Sequence, residues 1–184
     1  MQRFDPLRLP AAKAIAMLAM AALVGSAAAA TSEVSASGFL VTLRQEVKAP
    51  PQRVYEAIAN VGNWWNPEHT WSGIAANLSL SAQASGCFCE RWDGNSVEHG
   101  RVVFAAMDRM LRLRAALGPL QAMAVDGVLT FALSEKDGKT ALQLTYRVSG
   151  NEAAKLQDIA GSVDGVLAEQ LQRLVAYAET GKPP

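Results

Sequence analysis

The polar residues that could do chemistry lie near the middle of the 184-residue chain. Glu90 and His99 flank a turn-forming sequence, Asp-Gly-Asn-Ser, and Arg101 follows two residues after the histidine. We expect Trp92 to pair with Val97 across that turn. Glu90 then lies opposite His99 on one face of a hairpin, where the carboxylate and the imidazole can share a proton. Inside a cavity, such a pair, with Arg101 as a third candidate, would suit general acid–base chemistry.

The face of the sheet that carries Glu90 and His99 decides whether they can act on a bound molecule. A two-residue loop after residue 107 pairs Phe104 with Leu113 and puts the cysteine-bearing face on the apolar side. Glu90 and His99 would then form a cross-strand pair on the solvent side, and this chemically inert arrangement is our expectation. A three-residue loop reverses the assignment and turns the pair toward the interior.

Cys87 and Cys89 are separated by one residue in the strand that carries Glu90. On a flat strand such residues lie roughly 6.6 Å apart with parallel side chains, whereas the Cβ atoms of a disulfide lie only about 3.5–4.5 Å apart. We therefore expect buried, free thiols unless a bulge distorts the strand. An unusual disulfide and redox or metal chemistry are the alternatives. No metal site is predicted, because a zinc site would need two further ligands and the chain has only two histidines.

Three tryptophans, Trp64, Trp65 and Trp71, lie within eight residues of one another. A tryptophan offers a large apolar surface and one N–H donor, which suits the rim of a ligand pocket. Packing of two short helices against a sheet explains the same residues equally well, and both roles can hold together. His69 lies in the loop between them, has no partner that the sequence identifies, and is expected to be exposed.

These residues depend on a series of elements that the hydrophobic pattern predicts. Alternating apolar residues predict a strand over 38–48, which Pro50 and Pro51 end, and two short helices follow. Residues 31–37 are small and polar and predict a flexible leader. Further strands are expected at 78–80, 87–92, 97–106, 110–116, 127–134 and 140–148, with a long helix at 155–179.

The last predicted hairpin has a register that its turn defines. If Asp137 and Gly138 form a two-residue loop, three apolar pairs share one face, namely Leu133 with Leu142, Phe131 with Leu144, and Leu129 with Tyr146. The apolar face of a single sheet must be covered, and the long helix is the only element large enough to cover it. We expect a cavity between sheet residues Phe104, Leu113, Phe131, Leu144 and Tyr146 and helix residues Val163, Leu167, Leu171 and Leu174.

The first thirty residues predict export. Three basic residues precede an apolar run at 14–24, and three alanines end at Ala30. This is the pattern of a cleavable signal peptide, and the run of about 11 residues is shorter than the roughly 20 that cross a bilayer. A retained amphipathic anchor is the alternative. We expect a periplasmic or secreted protein with no stable membrane insertion after cleavage.

The remaining chain has the size and charge of one globular domain. Residues 31–184 carry 14 basic and 16 acidic side chains, a formal charge of −2. Such a balance gives no electrostatic footprint for nucleic acid. The sequence contains no Gly-rich phosphate loop, G-x-S-x-G or H-E-x-x-H motif, and no cofactor is predicted. We assign 1–30 to the signal peptide, 31–37 to the leader, 38–180 to the domain and 181–184 to a tail.

The order of elements over 38–180 resembles the helix-grip fold of the SRPBCC superfamily. That superfamily includes START lipid-transfer domains, polyketide cyclases, the birch-pollen allergen group and chaperone-ATPase activators. The local sequences at 49–55, 64–67, 70–72 and 98–102, and the long terminal helix, also look similar. The resemblance implies an α+β fold in which a curved antiparallel sheet of about seven strands wraps on a long C-terminal helix, with two short helices after the first strand. It also implies a cavity for a lipophilic molecule, and it says little about activity.

The function expected from these observations is binding of a small lipophilic molecule in an internal cavity, without covalent chemistry, by a monomer or weak dimer. The alternative is a cyclase-, dehydratase- or hydrolase-like enzyme that uses Glu90 and His99, helped by Arg101 or Tyr146. A protein-partner module similar to the chaperone activators is weakest, because export removes that partner. The candidate ligand-binding residues are Trp64, Trp65, Trp71, Phe104, Leu113, Phe131, Leu144, Tyr146, Leu167 and Leu171.

Export predicts a specific amino terminus. Because the small-residue segment ends at Ala30, cleavage should leave a chain that begins at or within a few residues of Thr31. Amino-terminal sequencing of protein from the periplasmic fraction checks this. Cytosolic protein that retains Met1 would contradict it.

Overall fold

The computed structural model describes residues 30–184, so the predicted signal peptide, apart from Ala30, lies outside the described residues. The two helices are α1 (Pro51–Ala59) and α2 (Gln157–Thr180). The strands are β1 (Ala30–Ser35), β2 (Gly38–Val47), β3 (Leu78–Leu80), β4 (Cys87–Trp92), β5 (Asn95–Ala106), β6 (Met110–Arg114), β7 (Asp126–Lys136) and β8 (Lys139–Ser149). Short 3-10 turns lie at Val61–Asn63, Pro67–His69, Ala75–Asn77, Gly118–Met123 and Glu152–Ala154.

The strands form one antiparallel sheet in the order β1-β2-β8-β7-β6-β5-β4-β3. The chain passes from β2 through α1 and three 3-10 turns to β3 at the opposite edge, and then returns strand by strand to β8 beside β2. Helix α2 packs over β1, β2 and α1. This is an α+β helix-grip architecture, as the sequence predicts.

The predicted register of the β7–β8 hairpin is confirmed. Phe131 pairs with Leu144 and Leu129 with Tyr146. Asp137 and Gly138 both have positive φ, of 54° and 74°, which is the conformation of a two-residue type I′ loop. The apolar side chains of both strands therefore point into the core below α2.

The predicted flexible leader is wrong, because these residues form the edge strand β1. Thr31 pairs with Val41, and the Thr31 hydroxyl donates to Asp164 Oδ2 on α2 at 2.8 Å. Glu33 also forms an ion pair with Arg147 of β8. Pairing with β2 satisfies backbone groups on one side of this edge strand and raises the number of strands to eight.

The predicted register of the β4–β5 hairpin is wrong by two residues. Asp93 and Gly94 have positive φ, of 43° and 80°, and form a two-residue loop, so Glu90 pairs with Val97 and Trp92 with Asn95. The register then shifts: Cys89 pairs with Glu98, and Phe88 with Gly100. His99 is thus the extra residue of a β-bulge, which locally bends and twists the strand.

The two cysteines form a disulfide, so the predicted free thiols are wrong. The Cα atoms of Cys87 and Cys89 lie 5.4 Å apart, closer than in a flat strand and within the range that a disulfide allows. The pair spans the point where the β4–β5 register shifts. The local distortion that flat-strand geometry omits brings the two side chains together.

The loop between β5 and β6 has three residues, not the expected two. Ala106 pairs with Met110, and a further register shift pairs Val102 with Leu113 and Phe104 with Arg112. As a result Phe104 is 47 % exposed, with the Arg112 guanidinium 5.9 Å from its ring centre. The expectation that Phe104 faces the interior is therefore wrong.

Candidate functional site

A cavity of about 320 Å³ lies between the sheet and the first half of α2. Its walls come from four parts of the chain: residues between 65 and 71, the strand residues Leu78, Phe88 and His99, the segment 117–120, and Ile159, Ser162, Val163, Val166 and Leu167 of α2. Most of these side chains are apolar or aromatic. The polar groups on the wall are few, which is typical of a small-molecule site.

Asn66 holds the tryptophan segment against α2. Its backbone N–H donates to Gln170 Oε1 at 2.8 Å, and its side chain donates to Glu169 and accepts from the N–H of Glu68. The indole N–H of Trp65 donates to the carbonyl of His69 at 3.0 Å. These bonds set the turn that places Trp65 on the cavity wall.

Tyr146 holds the opposite wall. Its hydroxyl donates to the carbonyl of Ala115 at 2.9 Å and accepts the N–H of Leu117, the first residue of the cavity-lining segment 117–120, at 3.1 Å. Burial raises the pKa of this hydroxyl above its ordinary value. Tyr146 is therefore a fully buried group that positions backbone, and it does not line the cavity.

Glu90 and His99 form a buried hydrogen-bonded pair at the cavity wall. Nε2 of His99 lies 3.0 Å from Oε2 of Glu90, and the two residues are 6 % and 0 % exposed. Glu90 also accepts the backbone N–H groups of Trp71 at 3.1 Å and Ser72 at 2.6 Å. The expectation of a solvent-side pair is wrong, because the three-residue β5–β6 loop and the bulge at His99 turn this face inward.

The surroundings of the pair define its charge state. Burial acts to raise the pKa of Glu90, but the hydrogen bonds from Ser72, Trp71 and His99 together outweigh it, and the pKa is lowered. Burial lowers the pKa of His99, and the nearby Glu90 only partly opposes this effect. Near neutral pH the pair therefore consists of a carboxylate and a neutral imidazole.

The predicted site residues fall into three groups, apart from Glu90, which contacts His99 but does not itself line the cavity. Trp65, Trp71, Leu167 and His99 line the cavity, and Trp71 is 57 % exposed at its mouth. The other predicted apolar residues pack in the core behind it: Tyr146 is fully buried, and two voids of about 10 Å³ each are lined by Trp64, Leu113, Phe131, Leu144 and Leu171. Arg101 and Phe104 lie outside the cavity.

Arg101 is an exposed residue that the cavity does not use. Its guanidinium forms an ion pair with Glu98 and donates to the carbonyl of Ser85. The bulge at His99 separates the two positions, so that His99 points inward while Arg101 remains at the surface. The sequence suggested one cluster of three polar residues, and the structure brings together two of them.

Two contacts of the site were not found from the sequence, one at the cavity mouth and one in the core beside it. His69 is exposed, as expected, but it lines the cavity mouth, and its Nε2 lies 3.2 Å from Glu169 of α2, a partner that the sequence does not identify. Gln170 lies in the apolar stripe of α2, and its buried amide nitrogen has no hydrogen-bond partner among residues 30–184. The sequence could have identified Gln170, because it is a polar residue within the apolar stripe of a helix.

The Glu90–His99 pair predicts that acid destabilises the fold. Both pKa values are lower in the folded chain, so the unfolded chain binds more protons. The free energy of unfolding therefore decreases as the pH is lowered. The contribution of His99 is fully present above its unfolded pKa of about 6.5 and is lost as pH falls through the lower folded value. Glu90 adds a second loss that begins near its unfolded pKa of about 4.3.

The variant His99→Gln separates the two contributions, because glutamine keeps an N–H donor for Glu90 and does not titrate. Between about pH 7 and about pH 5, urea unfolding of this variant should show a smaller pH dependence than the unchanged protein. His69→Gln measures the contribution of the other histidine. Equal pH dependence in His99→Gln and the unchanged protein would contradict the assignment.

No protein-family model and no curated protein matches this chain. Within the described residues, no helix has both the length and the apolar character needed to cross a membrane.

Solved structures with the same architecture exist at low sequence identity. A conserved protein of unknown function, EF2215 from Enterococcus faecalis, has a TM-score of 0.60 at 13 % identity over 85 % of this chain and 80 % of its own. CalU16 from Micromonospora echinospora has a TM-score of 0.55 at 18 % identity over 86 % and 85 %. The Aha1 dimer from Colwellia psychrerythraea has a TM-score of 0.57 at 17 % identity over 78 % and 98 %. These similarities support the helix-grip fold and, at such identities, the fold alone.

Proposed function

We propose that this chain is an exported helix-grip protein that binds a small, mostly apolar molecule in the cavity between the sheet and the first half of α2. The single observation that carries the proposal is the cavity itself. Its volume of about 320 Å³ falls in the lower part of the range of roughly 300–1,000 Å³ that ligand pockets occupy.

The lining of the cavity supports an apolar ligand. Aromatic rings from Trp65, Trp71 and Phe88 face aliphatic side chains of α2, including Val163 and Leu167. Removing apolar ligand surface from water is favourable by roughly 25 cal/mol per Å². The partly exposed mouth at Trp71 gives a route of entry that leaves the packed core in place.

The disulfide supports export. Disulfides form and persist in the periplasm and outside the cell, and they are rare in the reducing cytosol. The bond between Cys87 and Cys89 therefore agrees with the signal peptide expected at 1–30. Both features favour a periplasmic or secreted protein.

The fold supports membership of the SRPBCC superfamily. The eight-stranded sheet, the long terminal helix and the structural similarity to CalU16 and Aha1 support this assignment. The Aha1 structure is that of a dimer, and we propose a monomer or weak dimer for this chain. The cavity lies within one chain, so ligand binding needs no second copy.

Filling the cavity should abolish binding. Val163 is half-buried on the cavity wall, so Val163→Trp adds a large side chain where free volume exists. We expect the affinity for the neutral dye N-phenyl-1-naphthylamine to fall at least about tenfold, the equivalent of about 1.4 kcal/mol. Fluorescence titration measures the affinity, and circular dichroism checks the fold.

The matched control is Gln172→Trp, which adds the same side chain to an exposed position of the same helix. This variant should bind the dye as the unchanged protein does. Equal dye affinity in Val163→Trp and Gln172→Trp would show that the dye binds elsewhere, and would contradict the proposal.

Proton transfer on the bound molecule is a second candidate function, which the buried Glu90–His99 pair favours. A carboxylate that accepts one ring N–H orients the imidazole and leaves the other nitrogen able to take a proton. His99 lines the cavity, and this nitrogen has no hydrogen-bond partner among the described residues, so we propose that it meets the bound molecule. Neither Arg101 nor Tyr146 assists, because neither reaches the cavity.

The molecule retained by purified protein distinguishes the two functions. Native mass spectrometry should find the same small molecule in unchanged protein and in His99→Gln, both isolated from their own periplasm, if the protein only binds. The enzyme would be favoured if His99→Gln retained a different molecule, and if the two molecules differed by a reaction that proton transfer catalyses, such as loss of water.

A further inference from the structure

We infer that the cavity recognises its ligand through a hydroxyl group that donates a hydrogen bond to Nδ1 of His99. The cavity therefore prefers neutral apolar alcohols and phenols to ethers and carboxylates with the same carbon skeleton. This inference rests on the proposed function and adds to it the polar group that the ligand carries.

The first step is the set of donors around Glu90. Oε1 accepts the N–H of Ser72, and Oε2 accepts the N–H of Trp71 and faces Nε2 of His99 at 3.0 Å. An ionised carboxylate accepts hydrogen bonds and cannot donate them. Nε2 of His99 must therefore carry the proton in this contact.

The second step concerns the other nitrogen of the ring. A neutral imidazole carries one proton, so Nδ1 is an acceptor when Nε2 is protonated. The ring is almost fully buried, and its centre lies 5.0 Å from that of Phe88, so it has little freedom to turn. In the part of the chain that the structure describes, Nδ1 receives no hydrogen bond. Nδ1 is also not among the fully buried side-chain atoms of these residues that lack a partner, so it is open to the cavity or to solvent, and a ligand hydroxyl in the cavity can donate to it.

The third step explains the exclusion of anions. Among the described residues, no lysine or arginine lines the cavity, and His69 at its mouth already has a carboxylate partner, Glu169, at 3.2 Å. The charge of Glu90 lies one ring away from any group bound to Nδ1, and it repels an anion in surroundings of low dielectric constant. A ligand carboxylate would also direct its lone pairs at the lone pair of Nδ1.

The fourth step explains the preference over ethers. An ether oxygen and Nδ1 are both acceptors, so an ether of the same size fills the cavity and leaves the histidine unsatisfied. An alcohol or phenol fills the same space and adds one hydrogen bond. The difference in affinity between the two is therefore a direct measure of the contact with His99.

Four probes that share one skeleton test the inference: naphthalene, 2-naphthol, 2-methoxynaphthalene and 2-naphthoate. Isothermal titration calorimetry near neutral pH should rank 2-naphthol about tenfold above 2-methoxynaphthalene, with 2-naphthoate the weakest. In His99→Phe, which keeps a planar ring, the advantage of 2-naphthol over its ether should disappear. Arg101→Gln, at an exposed position two residues along the same strand, is the matched control and should keep the full advantage.

The outcomes separate the inference from the proposed function. Equal affinities for 2-naphthol and its ether in the unchanged protein would overturn the inference and leave apolar binding in place. An advantage of 2-naphthol that persists in His99→Phe would place the hydroxyl elsewhere and would also overturn it. If no neutral probe binds, the proposed function fails as well. The ranking in unchanged protein decides the question even if His99→Phe does not fold.

Discussion

The buried carboxylate of Glu90 is the interaction on which the candidate site depends. A charged group inside a protein is costly unless hydrogen bonds compensate for its lost water, and Glu90 accepts three of them. Two come from the backbone of Trp71 and Ser72, and the third comes from His99. One side chain therefore connects the loop at the cavity mouth, strand β4 and the bulge in β5. Its charge holds the protonated nitrogen of His99 toward itself, which leaves the acceptor nitrogen for the cavity.

The bulge at His99 makes this arrangement possible. Without the extra residue, alternation along β5 would apply throughout the strand, and the register shift that directs His99 inward would be lost. Gly100 follows immediately, and a Cβ there would lie 2.6 Å from the Cβ of Ala115 and 2.9 Å from the carbonyl of Arg114. The glycine thus permits the close approach of the next strand beside the bulge. The carbonyl of Ala115 in turn accepts a hydrogen bond from the hydroxyl of Tyr146. The same tyrosine therefore stabilises both the strand beside the bulge and the cavity wall.

The sequence predicted the fold and the central pair, but not the geometry that makes the pair accessible to a ligand. The β7–β8 register followed from Asp137 and Gly138, because one local turn and three apolar pairs agree. The Asp-Gly-Asn-Ser turn was expected to form a four-residue loop, whereas Asp93 and Gly94 alone form the loop that is observed. A bulge, a disulfide across it and the pairing of 30–35 with β2 depend on contacts between distant residues or on departures from flat geometry, which periodicity does not contain. The segment at 117–120 has no periodicity and still forms a wall of the cavity.

The two halves of α2 have different roles, because the second half packs tightly on the sheet and the first half lines the cavity. Leu171 and Leu174 in the second half are 1 % and 0 % exposed and pack against the sheet around small voids. Val163 and Val166 in the first half are only half-buried, because the cavity lies between them and the sheet. The second half stabilises the contact between helix and sheet. The first half can therefore leave a cavity above the sheet without loss of the fold. Leu167 lies at the boundary, buried yet on the cavity wall, and it is the position where packing and ligand contact meet. Substitutions at the cavity-lining positions before it, such as Val163 and Val166, act mainly on binding, whereas substitutions at the buried positions after it, such as Leu171 and Leu174, act mainly on the free energy of unfolding.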